Sequence, residues 1–435
     1  MGDEEVRWLY RELPGLVRRG VVPPAVAAQL RDHYGVPASP ARSPSRSLAV
    51  FGVLGATLIG LGVILLLAHN WDELTRAARA ALVFALLLGS QALAGFALLS
   101  RRGSVAWAES TSGFLALSVG ASLALISQTY QVPGEPRELI LVWMLLIAPL
   151  PYLLGAALPA IGYWIGITAW VLMDPGASAS LPLWVLLAGV GAADLLRAGR
   201  WRVPSAGSAI HAWVVAVALP LALLALLAIE SGVVWALLAP ALGAAMVAAS
   251  RIADERDLPQ LGLPFRFLGT LGLGALVAVL SFPVWDEMPL WPTAPAEIGR
   301  ARMALGLAAL LVAFVVPWAW REVAAKRWHR AWLLAAPVAF GIALLGADRG
   351  DGVFSALLVN AYGLGLGLTA ALAGLRAGRI STTNAGMLLL ATLIAARFVD
   401  SEWSFLARGL VFIGLGGAFL GLNLRLRARL QREDV

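Results

Sequence analysis

His69-Asn70-Trp71-Asp72-Glu73-Leu74-Thr75-Arg76-Ala77-Ala78-Arg79 separates two long apolar runs, residues 48–68 and 80–100. An apolar run of about 20 residues is long enough for a helix to cross the hydrocarbon core of a bilayer. The charged stretch therefore reads as the tip of a membrane hairpin. The chain repeats this plan to its end: apolar run, short polar tip, apolar run. A lipid-exposed backbone must satisfy its own hydrogen bonds, so the runs are expected to be helices. The fold class is all-α, a polytopic transmembrane helix bundle of about 14 spans.

Composition agrees. Hydrophobic residues make up 60% of 435 and charged residues 14%, against roughly 45–50% and 25% in soluble domains. One soluble core could not hide that much apolar surface, so the bilayer is the expected partner. The absence of cysteine excludes disulfides, thiolate metal sites and cysteine nucleophiles. The first apolar run is a full span preceded by charged residues, so no cleavable signal peptide is expected.

The expected spans are 48–68, 80–100, 106–128, 139–155, 158–173, 181–197 and 210–229, then 233–250, 264–282, 302–320, 331–346, 353–374, 381–398 and 404–424. Only Gly155-Ala156-Ala157 divides the fourth from the fifth. Short loops rich in Lys and Arg face the cytoplasm. With the N-terminus inside, 25 of the 33 basic residues fall on inside segments. The even count and this bias predict both termini in the cytoplasm, in an inner (cytoplasmic) membrane. They also account for the net charge of +7 without nucleic acid as a partner. Trp71, Tyr130, Trp285, Trp291 and Trp403 flank the outside tips and read as an interfacial aromatic belt.

Outside the spans, residues 1–35 read as a cytoplasmic helical pair. Gly20 is placed to stop its first helix and Pro23-Pro24 to start its second. Residues 36–47 are a Pro/Ser/Arg linker, 48–424 the transmembrane domain, and 425–435 a basic cytoplasmic tail.

Several constellations could carry chemistry. Asp72, Glu73, Arg76 and Arg79 at the first tip, Gln128 and Gln131 at the end of the third span, and Arg397 and Arg408 near the last tip form a candidate outer polar cluster. Asp72 or Glu73 is expected to approach Arg397 or Arg408. Thr111, Ser118, Ser122 and Thr129 share one stripe of the third span, beside Gly113, Ala116, Gly120 and Ala124. That pattern suits close helix packing or the wall of a polar cavity. Glu109, Asp194 and Arg397 are ionisable groups near membrane depth, where such groups are costly and often functional. Pro149-Pro151, Pro220 and Pro240 fall inside spans, and Gly363-xxx-Gly367 and Gly417-xxx-Gly421 mark close packing. Broken helices often line transport sites. No Walker A sequence, HExxH or GxSxG is present, so no enzyme, cofactor or metal is expected. The first functional reading is a transporter or lipid-handling translocator, with a lipid or small-molecule ligand. The second is a membrane sensor or scaffold coupled to the N-terminal helical pair.

One family resemblance emerges from particular motifs. They are Gly-Val-Val-Pro-Pro-Ala-Val-Ala-Ala-Gln-Leu-Arg-Asp-His-Tyr-Gly (20–35), His-Asn-Trp-Asp-Glu-Leu (69–74), and Ala-Leu-Ile-Ser-Gln-Thr-Tyr-Gln (124–131) followed by Leu-Val-Trp (141–143). Asn384-Ala-Gly, Arg397-Phe398 and a Gly-rich last span close the set. Together they resemble the prokaryotic predicted membrane proteins of domain of unknown function 2157. The resemblance implies a polytopic membrane protein and supplies no catalytic residues.

Overall fold

The structure is a computed structural model that describes residues 9, 12–13, 15–17, 19–34, 74–101, 103–174, 178–198, 206–227, 232, 234–282, 284–400, 413, 417 and 421. The first expected span, 48–68, lies outside the described residues, as do the 36–47 linker, nearly all of the last span and the basic tail. The chain divides into two compact units, Met1–Arg79 and Ala80–Val435.

In the first unit, Gly20 takes the left-handed conformation (φ 71°). Its N–H donates to the Val17 carbonyl, and the Val21 N–H donates to the Leu16 carbonyl. A residue without a Cβ adopts this helix-terminating geometry at little cost. The Pro23 carbonyl then accepts the Val26 and Ala27 N–H groups, starting α1 (Pro24–Tyr34).

Every described element around and within the second unit is helical. In order they are α2 (Arg76–Ser100), α3 (Val105–Tyr130), α4 (Pro136–Ile147), α5 (Leu150–Leu154), α6 (Ala157–Leu172), α7 (Leu181–Ala198) and α8 (Ala206–Leu227). A π turn (Val234–Leu238) leads into α9 (Ala239–Glu255). α10 (Pro259–Leu280), α11 (Pro295–Ala324), α12 (Trp328–Leu334), α13 (Ala336–Asp348), α14 (Gly352–Arg376) and α15 (Ile380–Asp400) follow.

Eight of the described helices are long and apolar enough to cross a membrane. α12 and α13 pass only as a pair, bent by 49° at Ala335. Ala157–Leu172, Leu181–Asp194 and Ile380–Ala396 are apolar but shorter. At 1.5 Å per residue, a 16-residue helix reaches about 24 Å, less than the roughly 30 Å hydrocarbon core. The structure therefore shows a multi-span helical membrane protein, with eight or nine spans of full length among the described residues. Leu88, Leu99, Leu186, Leu310 and Leu388 all stand more than half exposed on these helices. Lipid is the solvent that such a surface fits.

Two cores organise the second unit. Trp164, Ile167, Trp184, Leu187, Leu223 and Leu226 centre the first, among α2–α8. Leu273, Val277, Phe340, Val359 and Tyr362 centre the second, among α10 and α13–α15. α9 lies between them and is the most buried span, 67% of its apolar window being enclosed. Its sequence, Ala-Pro-Ala-Leu-Gly-Ala-Ala-Met-Val-Ala-Ala-Ser, explains why: small side chains all round leave a thin rod that neighbours can approach from every side. A Cβ on Gly269 would press on the Gly243 carbonyl, and one on Gly262 on the Ser250 carbonyl, so α9 and α10 meet backbone to backbone. Gly386 seats against Ala371 and Gly367 in the same way, joining α15 to α14.

Two sequence expectations are refined. Gly155 (φ 64°, left-handed) and the extended Ala156 do break the chain between α5 and α6. Trp285 is no belt residue: it is 1% exposed, and its Nε1–H donates to the Leu280 carbonyl. The turn after α10 folds it back into the second core, whereas Tyr130 and Trp291 stay about half exposed.

Candidate functional site

The expected outer cluster is only partly described. Asp72, Glu73 and Arg408 lie outside the described residues, as does the side chain of Arg397. Arg76 is exposed and Arg79 half-buried in the first unit. In the second unit, Gln128 and Gln131 are both exposed. Gln131 ends α3 in the left-handed conformation (φ 50°), its N–H donating to the Ser127 carbonyl.

Two hydroxyls of the α3 polar stripe bond within their own helix, while Ser122 Oγ is buried without a hydrogen-bond partner among the described residues. Thr111 and Thr129 donate to the Trp107 and Leu125 carbonyls of their own helix. The Trp143 ring of α4 lies against Gly120, and its Nε1–H reaches the Ala116 carbonyl at 2.8 Å. Small residues thus admit an indole to the α3 backbone. Glu109 also has a structural task. Its two carboxylate oxygens accept the Ala157 and Leu158 N–H groups, at 2.8 and 2.7 Å. It caps α6 from another helix, where the local cap residue is the apolar Ala156.

Asp194 is different. It sits on α7 about one turn from the helix end, 13% exposed, with Oδ2 4.0 Å from Nδ1 of His211 on α8. His211 is 1% exposed, and its Nε2 has no hydrogen-bond partner among the described residues. The two residues face each other across the α7–α8 interface, and α8 carries Pro220 in its interior. At 4.0 Å the two groups are neighbours without a hydrogen bond between them, and ionisable groups at this depth are costly and often functional. The sequence singled out Asp194 but not its partner. The signal was available: both residues lie close in sequence to the same polar stretch, residues 199–205.

A second charged centre lies where α9 and α11 end and α12 begins. Glu322 of α11 is 3% exposed. Three guanidinium groups surround it: Arg251 Nε at 3.0 Å, Arg327 Nη1 at 3.7 Å and Arg330 Nη1 at 3.9 Å. Arg251 also pairs with Asp254 at 2.8 Å, and Arg266 of α10 reaches Asp254 at 3.4 Å. Arg321 and Glu255 form an exposed pair beside them, at 3.0 Å. Glu322 went unnoticed in the sequence because Arg-Glu-Val-Ala-Ala-Lys-Arg reads as an ordinary basic loop. Elsewhere, Arg137 at the start of α4 binds Asp174 at 2.9 Å and Ser180 at 2.7 Å, and stacks on Trp170.

Comparison with known proteins adds one finding. Residues 14–160 match the family model described as "Predicted membrane protein (DUF2157)". No curated protein and no solved structure matches the chain. The matched segment contains the motifs at 20–35, 69–74, 124–131 and 141–143, while Asn384-Ala-Gly and Arg397-Phe398 lie beyond it. Residues 14–160 are thus similar to the predicted membrane proteins of domain of unknown function 2157.

Proposed function

We propose that the chain is a transporter or lipid-handling translocator of the inner membrane, not an enzyme, taking a lipid or small-molecule ligand and no nucleic acid. The observation that carries this reading is the placing of two ionisable groups, the largely enclosed Asp194 and the buried His211, 4.0 Å apart between α7 and α8. A solid, purely structural interface would hold better with apolar side chains, because burying ionisable groups is costly. In the test, full-length protein is reconstituted in vesicles loaded with a pH-sensitive dye, and a potassium diffusion potential is imposed. Proton uptake should exceed that of empty vesicles, and Asp194→Asn and His211→Gln should each remove the excess. Equal rates in all preparations would overturn proton-linked transport.

The arrangement proposed for it is fourteen spans with both termini cytoplasmic. Polar contacts between loops support this. Gly232 with Pro289, Trp291 with Asp348, and Arg137 with Asp174 each join loops that the alternation places outside. Arg251, Glu322 and Arg330 join loops that it places inside. Reporter fusions at Gly103 and Gly378 should read cytoplasmic, and those at Gly134 and Gly350 external; one reversed reading breaks the arrangement. The second reading, a sensor or scaffold, is favoured by the separate compact unit Met1–Arg79.

A further inference from the structure

We propose that Arg251, Arg266, Arg327 and Arg330, gathered around Glu322 and Asp254, form a binding site for a phosphate-bearing anion. The inference stands whether or not the chain transports anything.

Charge is the first argument. Four guanidinium groups share two carboxylates, Glu322 and Asp254. His329 lies within electrostatic reach of Glu322, Arg327 and Arg330, and Arg379 within reach of His329. The Arg251 and Arg330 side chains are only 17% and 26% exposed. Like charges repel strongly in a partly desolvated setting, so an uncompensated excess there is costly.

Hydrogen bonding is the second and independent argument. Arg251 Nε lies close to Glu322 Oε1 but is not aligned to donate to it. Arg327 and Arg330 stand too far from Glu322 to donate at all. Neither makes a side-chain hydrogen bond among the described residues. The Glu322 Oε2 atom is likewise buried without a donor. Arg327 and Arg330 are thus gathered beside Glu322 with their N–H donors unspent on it, while Arg251 and Arg266 each donate to Asp254. Planar, fixed forks of this kind match a tetrahedral oxyanion, whose several oxygens can each take a fork. A phospholipid headgroup and free inorganic phosphate share that chemistry, and basic pockets between membrane helices are suited to either.

The test uses full-length protein in a neutral detergent. Two probes separate the sources: inorganic phosphate, read as a saturable rise in melting temperature against acetate of equal ionic strength, and phosphatidylglycerol, read by native mass spectrometry as an adduct that phosphatidylcholine does not form. Binding of the lipid alone assigns the site to a headgroup, and binding of phosphate alone to the free anion; either supports the proposal. The double variant Arg327→Gln/Arg330→Gln should bind the active probe at least about tenfold more weakly, a loss near 1.4 kcal/mol. Arg376→Gln, an exposed arginine at the end of α14, should bind like the wild type. The proposal is overturned if the wild type binds neither probe saturably, if acetate acts as phosphate does, or if the double variant binds within about twofold of wild type. Should the double variant not give a monodisperse particle, Arg330→Lys replaces it, keeping the charge and losing the fork. Weaker phosphate affinity with unchanged melting in acetate then supports the site, and unchanged affinity rejects it.

Discussion

Replacing Glu109 tests whether one helix can depend on a cap supplied by another. α6 starts at Ala157 after an apolar cap residue, so its first N–H groups would face a poorly hydrated interface without partners. Glu109 takes two of them, at 2.8 and 2.7 Å. A hydrogen bond to a charged group contributes about 1.5–3 kcal/mol net, and two that share one carboxylate are not additive. Glu109→Ala should therefore destabilise by about 2–4 kcal/mol. Glu109→Gln keeps one acceptor and should lose roughly half of that. Glu135 is the matched control. It occupies the cap position of α4 but makes no side-chain cap bond, so Glu135→Ala should cost within about 0.5 kcal/mol of nothing. The 17 tryptophans give a fluorescence signal for unfolding in detergent by heat or denaturant. If Glu135→Ala proves as damaging as Glu109→Ala, the cross-helix cap is wrong, and the local sequence rule would have chosen correctly.

Other perturbations follow from the packing and the charges. Gly386→Leu should drive α15 off α14 and yield polydisperse protein on size-exclusion chromatography, while Gly272→Ala, with open space around it, should elute as wild type. Trp143→Phe keeps the ring against Gly120 and deletes the bond to the Ala116 carbonyl; a loss of about 1 kcal/mol in denaturant unfolding is expected. Glu322→Gln removes a charge that competes for the surrounding arginines. It should lower the melting temperature in acetate yet tighten phosphate binding, and a parallel loss of both would mean that Glu322 helps to hold the anion instead.

What the sequence made legible was the period and length of its apolar runs. Each expected span within the described residues is helical, although 139–155 and 331–346 are each divided between two helices, because a backbone in lipid must bond to itself. Which helices are long enough was less visible. The α6 run, Ala-Leu-Pro-Ala-Ile-Gly-Tyr-Trp-Ile-Gly-Ile-Thr-Ala-Trp-Val-Leu, is as apolar as any span but stops at 16 residues. Its start depends on Gly155 and on a carboxylate 48 residues earlier. Trp285 shows a related limit. Its neighbours Asp286 and Glu287 are exposed, so the local pattern places it at the interface, while the turn geometry buries it. The charged centres were the least legible part. Glu322 and His211 owe their character to burial and to residues on other helices, and no local window contains that information.

The same physics explains why both charged centres lie near helix ends. A helix interior surrounded by lipid or by apolar helices offers a carboxylate no partner except another side chain. A helix end adds loop arginines, free backbone N–H groups and nearby water. Glu109 uses the N–H groups, Glu322 the arginines at neighbouring helix ends, and Asp194 lies near a histidine about one turn inside. α9 makes the second of these solutions geometrically available. Because its side chains are small, α10, α11 and α13 all approach it closely, and its last turn brings Arg251 and Asp254 to the point where those neighbours begin or end. A bulkier central helix would hold the ends apart, and four guanidinium groups could not converge on two carboxylates. The alanine- and glycine-rich core and the charged centre are thus one arrangement: the thinness of the first sets the spacing of the second.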